Sequence, residues 1–167
     1  MQYTSHEANK LLNQMKEQYA LLLAREMQSR TFLASLGEDP ETVRPKYDYA
    51  KTQELLDSLA SQIRKVKHAL NVFNTTTVVP EFQMTVDEML VFIPQLTAKK
   101  AKLSDMRGYL PKQREISVSR TSNIVDYRYV NYDLDMVEED YTQVSELLAK
   151  AQLALDKVNN TYTLEIQ

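Results

Sequence analysis

The chain has no cysteine, so disulfides, thiolate nucleophiles, zinc–thiolate sites and iron–sulfur clusters are excluded together. Histidine is almost as scarce. His6 and His68 are the two imidazoles, nothing pairs them in sequence, and neither has a glutamate three residues before it, as a di-iron carboxylate bundle requires. No Walker loop, dinucleotide fingerprint or nucleophile elbow occurs. The chain therefore reads as non-enzymatic, with no catalytic residue, cofactor or metal expected.

Helix-breaking residues are few: two glycines and five prolines in 167 residues, against many Leu, Ala, Glu, Lys, Gln and Met. That balance favours an all-α fold, and the length suits one domain over 1–167 with a core that needs no staples. Long apolar runs are missing too. The longest, Met89 to Pro94, falls far short of the roughly 20 residues a bilayer-spanning helix needs. A net charge of −3 gives no general attraction to nucleic acid or anionic lipid. The first seven residues lack the basic-then-apolar order of a secretory signal, so a cytoplasmic location is expected.

Helical periodicity dominates what is present. Tyr49, Leu56, Leu59, Ile63, Val66, Leu70 and Phe73 recur at steps of three and four, and so do Leu134, Val137, Tyr141, Val144, Leu148, Ala151, Leu155 and Val158. Each set forms one apolar face that must be buried. Thr4 and Glu7 have capping-box spacing and open a helix through Ala8, Leu11, Leu12, Met15, Tyr19, Leu22 and Met27 to Leu36, where Gly37 can take the left-handed conformation. Thr85 and Glu88 open another, facing inward with Val86, Met89, Leu90, Ile93, Leu96, Leu103 and Met106. Pro94 inside it predicts a kink or break near Leu90 to Ile93. Four long helices follow, over about 5–36, 45–73, 85–110 and 133–159, in a mainly antiparallel bundle.

Two segments break the pattern. Asn74-Thr75-Thr76-Thr77-Val78-Val79-Pro80 should end the second helix in an extended crossing or short strand. From Pro111 to Tyr132 the helical period disappears; Ile116 and Val118, then Val125, Tyr127 and Tyr129, alternate with polar residues around Arg120-Thr121-Ser122-Asn123, which predicts a β-hairpin. Asp133 then caps the last helix, with Asp135, Glu138, Glu139 and Asp140 in its first turns, where the dipole favours acids. Asp133, Asp135, Glu138 and Glu139 could also ligate a hard cation, but they lack the glycine and twelve-residue spacing of a calcium loop.

The irregular segments supply the candidate interaction surface: Asn74, Thr77, Arg114, Arg120, Asn123, Tyr127, Arg128, Tyr129 and Tyr132. Cations interleaved with tyrosines are also what single-stranded nucleic-acid platforms use. Tyrosine favours strands in any case, and a tyrosine strand covering the end of a bundle explains the pattern equally well.

Leu70-Asn71-Val72-Phe73-Asn74-Thr75-Thr76-Thr77 resembles the Ile-Asn-x-Thr-Asn stretch of a family of small bacterial helical proteins, some labelled septicolysin-like. The similarity extends to Met84-Thr85-Val86-Asp87-Glu88, to Ser119-Arg120-Thr121-Ser122-Asn123-Ile124, which matches a Ser-Arg-x-Ser-like motif, and to Asp133. It departs where the family has Arg-Arg-Asp and this chain has Val91-Phe92-Ile93-Pro94. The resemblance implies a helical fold over nearly the whole chain and, through its label, a cytolysin-like activity.

A non-enzymatic helical interaction or structural protein is the expected function, with another protein or a second copy as partner through an exposed helix face or residues 111–132. A membrane-active protein that inserts Met89 to Ile93 is the alternative. A weak single-stranded nucleic-acid binder is the third reading.

Overall fold

The computed structural model describes residues 1–115 and 126–166. In chain order these form β1 (Gln2–Thr4), α1 (Ser5–Ser29), α2 (Pro40–Val43), α3 (Tyr49–Thr76), β2 (Val78–Val79), β3 (Met84–Thr85), α4 (Val86–Arg107), β4 (Lys112–Arg114), β5 (Tyr127–Tyr129), α5 (Leu134–Thr161) and β6 (Thr163–Glu165). The chain is predominantly helical, with antiparallel strand pairs β1–β6, β2–β3 and β4–β5. Its contacts fall into two compact units, Met1–Thr77 with Val158–Gln167, and Val78–Lys157.

In the first unit α1 and α3 run antiparallel. Leu11 and Met15 lie beside Gln62 and Val66, whereas Glu26, later in α1, accepts hydrogen bonds from Gln53 at 2.6 Å and Tyr47 at 2.7 Å. Ala8, Leu12, Leu56, Val66, Leu70 and Phe73 make the core there, and Leu164 of β6 is buried with them. In the second unit α4 and α5 are also antiparallel: Arg107 pairs with Glu138 at 3.1 Å, and Lys157 with Glu81 at 3.8 Å. Val79, Val86, Met89, Leu96, Leu103 and Val144 are among its buried residues.

Both capping boxes form. Thr4 Oγ1 accepts from the Glu7 amide at 3.2 Å while the Glu7 carboxylate accepts from the Thr4 amide at 2.8 Å; at Thr85 and Glu88 the distances are 3.2 and 2.7 Å. Backbone donation, then the threonine hydroxyl, holds the Glu7 and Glu88 carboxyls below their ordinary value of 4.5. Asp133 caps α5 as expected, accepting from the amides of Asp135 and Met136.

Several expected boundaries move. α1 stops at Ser29 rather than Leu36: Leu33 and Leu36, which would continue its apolar face, are fully exposed, and helical propensity alone does not extend a helix. Gly37 does adopt a left-handed φ of 87°, but inside a turn closed by the Glu38 amide on the Ser35 carbonyl. Asp39 and Pro40 then start the short α2, as a cap and an N1 proline do. α3 begins at Tyr49, not at Pro45: the Asp48 carboxylate accepts from the Lys51 amide at 3.0 Å, a cap that the arginine before Pro45 has no side-chain acceptor to provide. At its far end Asn74, Thr75 and Thr76 stay helical: the Thr75 and Thr76 hydroxyls bond to carbonyls of the preceding turn, and the break falls at Thr77. Along the apolar stripe Tyr49 is the exception, 67% exposed.

α4 passes through Pro94 without a break. The proline and Leu90 both lie on the exposed side, so the carbonyl freed by the missing amide faces water. Leu90 is accordingly not an inward residue. The expected extended segment is β2, but it pairs with β3 through a turn in which Gln83 takes a left-handed φ of 54°. Between α4 and α5, Tyr127–Tyr129 is a strand as expected; its partner is Lys112–Arg114. The expected partner positions Ile116 and Val118, and the turn at 120–123, lie outside the described residues.

The element order contains a repeat. With α2 and the β4–β5 pair set aside as connections, strand, capped helix, helix, strand occurs as β1-α1-α3-β2 and again as β3-α4-α5-β6. Thr4 corresponds to Thr85, Ala8 to Met89, Leu70 to Leu155 and Phe73 to Val158. The strand ladders obey the same correspondence: Thr4 stands opposite Thr163 and Tyr3 opposite Leu164, as Thr85 stands opposite Val78 and Met84 opposite Val79. Each half lends its last strand to the first strand of the other.

Candidate interaction surfaces

Seven expected surface residues fall on or beside the β4–β5 ladder or outside the described residues. Register pairs Lys112 with Tyr129, Gln113 with Arg128 and Arg114 with Tyr127. Alternation along a strand therefore puts Lys112, Arg114, Tyr127 and Tyr129 on one face and Gln113 and Arg128 on the other. On the first face the Lys112 ammonium sits 4.3 Å from the Tyr127 ring centre and 5.5 Å from that of Tyr129, within the range of cation–π attraction. Tyr129 remains 61% exposed.

On the second face the Arg128 guanidinium donates to both Glu115 carboxylate oxygens, at 3.0 and 2.9 Å. These bonds, then the attraction between the charges, lower the Glu115 carboxyl and raise Arg128. Arg128 is thus locally neutralised. Beyond the ladder the Tyr132 hydroxyl donates to the Met106 carbonyl at 2.7 Å, tying the exit of β5 to the last turn of α4; desolvation raises its ionisation above 10.0. Behind it Arg107 lies 4.2 Å over the Tyr141 ring while bonded to Glu138. A shallow depression of about 220 Å³ remains, bordered by Tyr109, Leu110, Arg128, Tyr129 and Tyr132.

Asn74 and Thr77 belong to the first unit. Asn74 is half-buried in the last turn of α3, and Thr77, the residue after that helix, donates its amide to the Phe73 carbonyl at 2.9 Å. Thr77 also borders an open groove of about 550 Å³ with Lys65, His68, Thr76, Thr163 and Glu165. Arg120 and Asn123 lie outside the described residues. Of the acids near the start of α5, Asp133 is engaged in capping and Glu138 with Arg107. Among the described residues no three His, Asp or Glu side chains gather as metal ligands would.

A second apolar surface was not read from sequence. The connection after α1 leaves Leu33 95% and Leu36 108% exposed, with Met27 also exposed on the adjoining helix. It is nevertheless an organised segment. Arg44 stacks 5.1 Å over Phe32, Glu41 holds Arg44 at 2.6 Å, and the Ser35 amide donates to Glu38 at 3.0 Å. The Tyr47 hydroxyl, bonded to Glu26 and partly desolvated, has its ionisation raised. The signal for this surface was the leucine pair beyond the last helical turn, masked because both leucines extend the α1 period.

No protein-family profile matches this chain, and no curated protein is similar to it in sequence. A solved structure is similar over nearly all of it: the crystal structure of a functionally unknown conserved protein from Corynebacterium diphtheriae, 16% identical, with a TM-score of 0.64 over 99% of this chain and 100% of that one. At that identity the likeness shows the fold alone.

Proposed function

We propose that this protein is a non-enzymatic interaction or structural module that works through the connections joining its paired helices. The exposure of Leu33 and Leu36 on an ordered, hydrogen-bonded segment carries this reading. Large apolar side chains held out to water at defined positions are what partner surfaces offer, and the tyrosine face of β4–β5 offers the same. Heptad-like spacing along α1, α3, α4 and α5 is consistent with coiled-coil pairing within each unit. A bacterial origin and a cytoplasmic setting belong to the same reading.

The nucleic-acid alternative is weaker because Arg128 is engaged with Glu115. The cytolysin-like alternative, carried by the septicolysin-like resemblance, needs Met89 to Ile93 to enter lipid, yet Met89 is wholly buried and Ile93 half-buried. No described helix is long and apolar enough to cross a membrane. Capture of the tagged full chain from its native lysate at moderate salt tests the proposal. A stoichiometric protein that is lost when Leu36 or Tyr129 is changed to serine supports it; nuclease-sensitive nucleic acid as the main co-eluting material contradicts it.

A further inference from the structure

The repeated strand-helix-helix-strand order makes residues 30–48 and 108–133 equivalent connections, and these have diverged to opposite charge. In the first, Glu41 is answered by Arg44; the exposed Glu38 and Asp39 follow directly on Leu33 and Leu36, while the exposed Arg30 and Lys46 lie nearer the two ends of the connection. In the second, Arg128 is answered by Glu115, leaving the exposed Lys112 and Arg114 beside Leu110, Tyr127 and Tyr129. One surface is apolar and acidic. The other is apolar, aromatic and basic.

We propose that the acidic leucine connection of one copy docks on the basic tyrosine ladder of a second copy. The proposal rests on the interaction-module reading and names its partner. Leu33 and Leu36 cover Leu110 and the tyrosine rings, while Glu38 and Asp39 face Lys112 and Arg114. Apolar contact supplies the adhesion, and the charges set orientation and exclude like surfaces. Because the two surfaces differ, a docked pair keeps one free surface of each kind, one on each copy, so the contact propagates head to tail into a ring or an open chain. The patches are small, which places association in the weak range, with Kd on the order of 10–100 μM. It weakens as salt screens the exposed charges.

Sedimentation of the purified full chain over roughly a hundredfold concentration range around that affinity tests this. We expect the mean mass to rise above the monomer with concentration and to fall with added salt. Glu38→Lys with Asp39→Lys, and separately Lys112→Glu with Arg114→Glu, should each remain monomeric, since both surfaces then carry one sign. An equimolar mixture of the two reversed proteins should associate again. Leu33→Ser with Leu36→Ser, which leaves the charges alone, should weaken association at least about tenfold, with helical content by circular dichroism confirming that each variant is folded. A monomeric wild type, association undiminished by either reversal, or a mixture that stays monomeric overturns the proposal. If the pure chain is monomeric while these surfaces capture a different protein, self-docking fails and the interaction-module reading stands.

Discussion

Thr4 stands opposite Thr163 in the β1–β6 ladder, at the register point where Thr85 stands opposite Val78 in β2–β3. The two threonines also cap their helices through the same reciprocal bonds. Equivalent geometry should have equivalent energetic consequences. We expect Thr4→Ala and Thr85→Ala each to cost about 1 kcal/mol, measured by urea denaturation of the full chain. Costs that differ several-fold would show that the two caps are not energetically equivalent.

The capping glutamates give the caps a pH dependence. Because the Glu7 and Glu88 carboxyls are lowered in the folded chain, they stabilise it above their ordinary value of 4.5 and lose that contribution as pH falls through their lowered values. Changing both to alanine should lower stability at neutral pH and flatten its decline in this acid window. Acid titration followed by far-ultraviolet circular dichroism reads both effects.

Pro94 sits in the interior of α4 on its exposed side. An alanine there restores an amide to the Leu90 carbonyl and removes the ring's clash. Pro94→Ala should therefore stabilise the chain by about 1–3 kcal/mol. A destabilised variant in chemical denaturation would mean that α4 depends on the geometry the proline imposes.

Burial separates two residues that the helical period treats alike. Met89 is 0% exposed and Tyr49 67%. Met89→Ala should cost about 2–5 kcal/mol through lost burial and the cavity it leaves, whereas Tyr49→Ala should stay within about 0.5 kcal/mol. Denaturation midpoints of the two variants check the contrast.

Much of the helical framework was legible in the sequence because periodicity and capping are local signals. The Leu134 to Val158 stripe is buried or half-buried throughout, and the caps at Thr4, Thr85 and Asp133 formed as their spacing requires. Pairing between distant strands was not legible. Gln2–Thr4 and Thr163–Glu165 are short segments that become strands because each completes the other across the full length of the chain. The repeat stayed hidden for a similar reason: equivalent positions keep their burial but change identity, as with Ala8 and Met89, and the connections between paired helices differ in length. Of the candidate surface, Tyr127 and Tyr129 were found through their alternation. The exposure of Leu33 and Leu36 was not, because extending a helical stripe and leaving it look alike until the helix is seen to stop at Ser29.

The most direct test of the interaction reading is site-specific photo-crosslinking in the native cell, with a benzophenone amino acid in place of Tyr129 and, in parallel, of Leu36. We expect discrete protein adducts from both positions, and none from the same probe at Glu54, an exposed residue on α3. Crosslinks to nucleic acid or lipid alone, or adducts no more abundant than at Glu54, would contradict it.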